Sequence, residues 1–152
     1  MKTIIESFFK KDLENIELNN DNEKIFRIAE SKEYIKYKNI TYYGYQEGKE
    51  EDWISKREIE ISKWFLSRLE EDNHINTIYS SFLIKYQIVN ELNKNIEFSF
   101  NKEYINITIG AIIIAMKELG YKIKIIENQC YFNFTTLSFR KLVSNDFQQM
   151  YF

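Results

Sequence analysis

The sequence of 152 residues contains no proline, only four glycines, one cysteine and one histidine. The single cysteine excludes an internal disulfide framework, and one cysteine with one histidine is too few for the usual zinc clusters. The glycine spacings cannot form a glycine-rich phosphate-binding loop. No apolar run approaches the roughly 20 residues that span a bilayer, and the acidic residues near the start lead us to expect no signal peptide. We therefore expect a cytoplasmic protein with no cofactor and no bound metal.

The residues that are present indicate a folded chain with little net charge. At 44% hydrophobic and 29% charged residues, the sequence is too apolar for a disordered protein and too charged for a membrane protein. Its 24 isoleucines, 17 lysines and 15 asparagines are typical of AT-rich coding sequences, which occur in viruses, phages, mobile elements and many bacteria. Residues 1–83 carry 13 basic and 17 acidic side chains, a sum of −4, whereas residues 84–152 carry 8 and 6, a sum of +2. This distribution permits a local basic patch in the second half of the chain.

The first 52 residues are predicted to form one helix, short strands and an exposed loop. The helix is predicted at Thr3–Leu18, the strands at Tyr34–Tyr37 and Ile40–Tyr43, and the acidic loop at Glu47–Asp52. A helix remains an alternative for Ala29–Tyr37. Five tyrosines in this region have three open interpretations, namely base stacking, a protein interface or a buried set of strands. They are Tyr34, Tyr37, Tyr42, Tyr43 and Tyr45.

Residues 53–135 are predicted to alternate helices with strands. The first helix should run from Trp53 to about Glu71 with Asp52 as its N-cap, and the polar residues Asp72–His74 should end it. The second should run from Asn76 or Thr77 to about Leu92 and is apolar around most of its circumference, which predicts a central place in the core. The later elements are a strand at 96–100, a helix at Thr108–Leu119 ended by Gly120, and a hairpin with Glu127–Asn128 as its turn. A last helix is predicted within 138–152.

This order resembles the winged-helix domain at the C-terminus of primase–helicases of phages, plasmids and large DNA viruses. WFLSRLEEDN is similar to the first helix of that family, and Thr108 and Gly120 bound the equivalent of its recognition helix. The buried positions of its second helix correspond to Tyr79, Phe82, Leu83 and Tyr86, and Ile112, Met116 and Leu119 take the apolar positions of the recognition helix. The fold predicted is therefore α+β and mainly helical, with an N-terminal part at 1–50, a winged-helix-like domain at 53–135 and a tail at 136–152.

The resemblance implies DNA contact through the hairpin, called the wing in that family, and through the start of the recognition helix. We predict phosphate contacts from Lys102, Asn106, Thr108, Lys117, Lys122, Lys124 and Asn128. A helix that reads base edges presents Arg, Lys, Asn or Gln outward, but four of the five predicted outward positions here are Gly110, Ala111, Ile114 and Ala115. These four suit a helix or subunit interface better than the major groove.

Two functions remain open on the sequence alone. The first is a non-enzymatic DNA-associated protein of a virus, phage or mobile element. The second is a protein-interaction module, such as a small viral or phage inhibitor or adaptor, that uses the acidic first half of the chain and the Gly110–Ala115 face, with a homodimer as one form of it. An enzyme is disfavoured because no nucleophile and base pair can be assembled, and His74 and Cys130 are interpreted as structural or surface residues.

Overall fold

The computed structural model describes residues 32–94 and 104–143. The helices are α1 (Lys56–Leu66), α2 (Ser81–Leu92), α3 (Ile109–Glu118) and α4 (Thr136–Val143). The strands are β1 (Tyr34–Ile35), β2 (Ile40–Thr41), β3 (Gly44–Tyr45), β4 (Ile54–Ser55), β5 (Glu71–Asn76), β6 (Ile123–Ile126) and β7 (Gln129–Phe134). The fold is a mixture of helices and antiparallel strands, as the α+β prediction requires. The predicted helix at Thr3–Leu18, the strand at 96–100, Lys102 and the end of the tail lie outside the described residues.

Helix α1 begins three residues later than predicted because the chain pairs as a strand first. Ile54 is fully buried in β4, opposite Ile35 of β1. The N-cap is Ser55, whose hydroxyl accepts a hydrogen bond from the backbone N–H of Glu58. The predicted cap was wrong, since the carboxylate of Asp52 instead accepts from the backbone N–H of Tyr42 at 2.8 Å.

The polar residues Asp72–His74, which were predicted to end the first helix, lie in strand β5. It pairs antiparallel with β7, which also pairs with β6, so the sheet order is β5-β7-β6. Most of its side chains are exposed, and only Asn76 at its end is buried. The amide of Asn76 donates to the Phe134 carbonyl and accepts from the backbone N–H groups of Ile78 and Tyr79. The pairing with β7 and the hydrogen bonds of Asn76 therefore hold β5 at the edge of the sheet, although most of its side chains are polar and exposed.

Helix α2 begins at Ser81 rather than at 76 or 77, with Ser80 as its N-cap. One face of the helix is buried in the core through Ile84, Ile88, Val89 and Leu92. The family resemblance had assigned buried positions to Phe82, Leu83 and Tyr86, and this assignment is wrong because all three are exposed. The helix therefore has one core face and one apolar face in solvent.

Helix α3 lies in the centre of the described fold, between α1, α2 and the β2–β3 hairpin. Every residue from Gly110 to Met116 is buried. Its predicted end is confirmed, since Gly120 has a φ of 89° and the Tyr121 N–H donates to the Met116 carbonyl at 3.1 Å. The buried residues from Ile40 to Val143 form one core, to which the N-terminal strands and α4 both contribute.

The predicted hairpin after α3 is also confirmed. Strands β6 and β7 pair in register from Ile123 opposite Phe132 to Ile126 opposite Gln129. The turn consists of Glu127 and Asn128, whose φ angles are 50° and 67°. Two consecutive residues with positive φ make a type I′ turn, which matches the twist of paired strands.

Candidate functional site

The predicted outer face of α3 is not a surface of the protein. Gly110, Ala111, Ile114 and Ala115 are all buried, so the prediction that they form an exposed interface is wrong. A Cβ built on Gly110 would collide with the Thr41 carbonyl oxygen and lie 2.9 Å from a methyl group of Ile40. The covering group is thus the chain's own β2–β3 hairpin. The burial of α3 could have been predicted from the sequence, because a helix that is apolar around its whole circumference is a buried helix.

The start of α3 is occupied by contacts within the chain. The Thr108 hydroxyl caps the helix by accepting from the Ala111 N–H, and the Thr108 N–H donates to the Glu58 carboxylate at 2.6 Å. Burial raises the pKa of Glu58, while its hydrogen bonds with Thr108 and the charge of Arg57 oppose that rise. A phosphate at Thr108 would have to displace this carboxylate. Asn106, two residues earlier, is exposed.

Lys117 lies at the other end of α3 and contacts the N-terminal strands. Its ammonium is 5.8 Å from the centre of the Tyr37 ring. The adjacent Glu118 carboxylate accepts a hydrogen bond from the Tyr37 hydroxyl at 2.9 Å and pairs with Lys63 at 3.1 Å. Burial and the Glu118 carboxylate raise the pKa of Tyr37. These contacts join α3 and α1 to the segment after β1.

The β6–β7 hairpin presents three of the predicted phosphate contacts together. Lys122, Lys124 and Asn128 are exposed, and the two lysines share one side because strand side chains alternate. The base of the hairpin is fixed by Asn133, which accepts from the Lys122 N–H at 2.6 Å and donates to the Asp72 carbonyl at 3.0 Å. The lysine ammonium groups therefore extend from a rigid base.

A second group of basic and aromatic residues surrounds β1 and β4. Its exposed side chains, which we call the basic–aromatic ribbon, are Lys32, Tyr34, Lys36, Lys38 and Trp53. Of the tyrosines left open by the sequence, Tyr34, Tyr42 and Tyr43 are exposed, whereas Tyr37 and Tyr45 are half-buried. Next to the ribbon is a cavity of about 150 Å³ that Tyr34, Arg57 and Tyr104 help to line. Sequence reasoning missed this grouping because Trp53 was placed inside a helix.

A third surface feature is the apolar face of α2. Ile78, Phe82 and Tyr86 follow each other at intervals of four residues and are 57%, 49% and 61% exposed. Leu83, on the same helix, is 39% exposed. We call these four residues the α2 stripe. A helix places residues i and i+4 on one side, so Phe82 and Tyr86 lie on the same side of α2, whereas Ile78 precedes the helix.

The histidine and the cysteine of the described residues lie on paired strands and differ in exposure. His74 is exposed on β5, and Cys130 is fully buried in β7. Burial raises the pKa of the Cys130 thiol to about 11, which opposes formation of a nucleophilic thiolate. Within residues 32–94 and 104–143, no three His, Cys, Asp or Glu side chains are grouped to hold a metal ion. None of the helices in these same ranges is long and apolar enough to cross a membrane.

Comparisons of the chain with family models, curated proteins and solved structures find no match.

Proposed function

We propose that the protein is a non-enzymatic, DNA-associated winged-helix protein of a virus, phage or mobile element. The observation that carries the proposal is the order of elements from α1 to β7. A helix, a strand, two helices and a hairpin follow in that order, and the hairpin joins the first strand in a sheet ordered β5-β7-β6. This order and pairing support a winged-helix plan, in which β6 and β7 form the wing.

Because α3 is buried, the proposed DNA binding does not depend on sequence. A buried helix cannot enter the major groove, where each base pair displays a distinct pattern of donors and acceptors. The wing remains, and Lys122 and Lys124 on its exposed side supply positive charge for backbone phosphates. Glu127 at the wing tip reduces that charge. We therefore expect weak, salt-dependent binding of duplex DNA.

The test is binding of a 20-base-pair duplex, followed by fluorescence anisotropy at several salt concentrations. Removing two phosphate contacts with Lys122→Ala/Lys124→Ala should make the slope of log affinity against log salt less steep by about 1.8. The matched control is Lys49→Ala/Lys141→Ala, which removes the same charge from exposed positions outside the wing. Equal losses in the two variants, or strong preference for one duplex sequence, would contradict the proposed mode of binding.

A second candidate function, a protein-interaction module, is favoured by the α2 stripe. Contiguous exposed apolar side chains often mark protein interfaces, and the partner we consider is a second copy of this chain. The mass in solution, measured by light scattering, should then be that of a dimer. Phe82→Ser/Tyr86→Ser should give a monomer, whereas Tyr43→Ser, which removes a more exposed aromatic ring elsewhere, should leave the dimer intact. A monomeric wild-type protein would eliminate this candidate.

A further inference from the structure

The basic–aromatic ribbon is built on a short antiparallel pair of strands. Tyr34 lies opposite Ser55 and Ile35 opposite Ile54, and this register continued by one residue sets Lys36 opposite Trp53. Ile54 is fully buried and Ile35 packs against the core, so these residues anchor the pair. Because strand side chains alternate, the intervening residues point to solvent. The aromatic rings of the ribbon are therefore held by a fixed backbone without being needed for the core.

Three large aromatic side chains are exposed around this strand pair. Tyr34 is 57%, Trp53 is 54% and Tyr104 is 65% exposed. Tyr34 and Tyr104 line the same cavity of about 150 Å³, together with Ser55, Arg57, Glu58 and Asn106. A single exposed aromatic residue is common, but rings gathered beside polar groups suit a flat ligand that also has hydrogen-bonding edges.

The charge of the ribbon favours an anionic ligand. Lys32, Lys36 and Lys38 are exposed, and the Lys36 ammonium is 5.0 Å from the centre of the Trp53 ring. Glu33, the acidic residue among them, forms an ion pair with Lys56 at 3.3 Å. The acidic loop before Trp53 limits the positive potential on that side. The lysines outnumber the acidic groups along β1, and the Trp53 ring has the Lys36 ammonium beside it.

We propose that the basic–aromatic ribbon, with Tyr104 and the adjoining cavity, is a binding site for single-stranded nucleic acid. Its rings stack on bases and its lysines neutralise phosphates, which is how proteins hold single strands without reading sequence. A duplex keeps its base faces covered by neighbouring base pairs, so it offers these rings nothing to stack on. The site deepens the proposed nucleic-acid function and rests on it, but it uses residues outside the wing.

The experiment compares a 20-nucleotide oligothymidine with the 20-base-pair duplex by fluorescence anisotropy. Tyr34→Ala and Trp53→Ala should each weaken oligothymidine binding about 5- to 150-fold, the range measured for loss of one stacking ring. The corresponding substitutions by Phe should restore most of the affinity. Tyr43→Ala is the matched control, because Tyr43 is 77% exposed and lies outside the ribbon. The intrinsic fluorescence of Trp53 should be quenched by oligothymidine, and Trp53→Phe should abolish this quenching.

Substitutions in the two proposed nucleic-acid sites, the hairpin lysines and the ribbon, should have different effects on binding. Lys122→Ala/Lys124→Ala should weaken duplex binding and leave oligothymidine binding intact, whereas Tyr34→Ala/Trp53→Ala should do the reverse. Unchanged oligothymidine binding in the ribbon variants would overturn the inference, as would equal losses for duplex and single strand. If the wild-type protein binds no oligothymidine and Trp53→Ala converts a dimer into a monomer, the ribbon is a protein interface and the inference is also overturned.

Discussion

Replacing Gly110 by alanine tests how tightly the β2–β3 hairpin covers α3. A Cβ at this position would overlap the Thr41 carbonyl oxygen and would lie 2.9 Å from Ile40 and 3.0 Å from Ile54. The hairpin is also hydrogen-bonded to the helix, since the Ile109 N–H donates to the Tyr42 carbonyl at 3.2 Å. The nearest obstacle is backbone, so it cannot be relieved by a side-chain rotation. The hairpin has to move.

The expected cost follows from three contributions. Inserting a methyl group into a packed region costs about 1–3 kcal/mol, and losing the hydrogen bond between Ile109 and Tyr42 costs about 1 kcal/mol more. Alanine is favoured over glycine within a helix by about 0.8–1.0 kcal/mol, which offsets part of this. We therefore expect Gly110→Ala to lower the free energy of unfolding by about 1–3 kcal/mol.

Urea unfolding and hydrogen exchange together measure this effect. The amides of Ile109 and Asp52 donate to hairpin carbonyls, so they should exchange faster in the variant, whereas amides within the β6–β7 pair should not. Adding Ile40→Ala removes one obstructing methyl group and leaves the Thr41 carbonyl in place, so it should not rescue stability. A variant more stable than wild type, with unchanged exchange at both amides, would refute the close packing of the hairpin on α3.

Three further predictions concern buried titratable groups. The Tyr121 hydroxyl donates to the Leu69 carbonyl at 2.9 Å, so Tyr121→Phe should cost about 1 kcal/mol in urea unfolding, and no loss would contradict this bond. Because burial raises the pKa of Glu58, its contribution to stability is greatest below its unfolded pKa and is lost as pH rises through the folded one. Glu58→Gln should therefore gain stability over wild type as the pH rises above about 4, unlike Glu47→Gln in the exposed loop; a pH-independent difference would argue against the shift. With the Cys130 pKa raised to about 11, iodoacetamide should label the thiol only after unfolding, and rapid labelling of the native protein would show that it is accessible.

Local patterns in the sequence predicted the elements whose geometry depends on nearby residues. The turn at Glu127–Asn128 follows from two residues that tolerate positive φ between alternating strands. The end of α3 follows from Gly120, which adopts a left-handed conformation without steric cost. Lys122 and Lys124 were correctly placed on one exposed hairpin for the same reason, because alternation along a strand is local. Helix starts were less predictable, since several Ser and Asp residues compete as caps.

Distant contacts decided the features that sequence reasoning missed. Asp52 became a partner of the Tyr42 backbone instead of a helix cap, because β1 draws Ile54 into a strand. The same pairing moved Trp53 out of the predicted helix and onto the ribbon. The spacing of apolar residues along the chain does not specify which segment will cover which face of a helix. The candidate sites on the ribbon and on α2 therefore became visible only in three dimensions.

The sequence by itself determined that this chain folds around an apolar core, lacks the residues for a disulfide or a zinc cluster, and ends α3 at Gly120 before a tight hairpin. Tertiary structure decided which apolar faces are covered. The face around Gly110 is sealed by residues about 70 positions earlier, while the apolar α2 stripe remains in solvent. Both faces look alike in sequence because hydrophobicity drives burial without specifying a partner. Shape and backbone position make that choice, and here they leave the β6–β7 hairpin, the ribbon and the α2 stripe as the exposed candidate sites of the described residues.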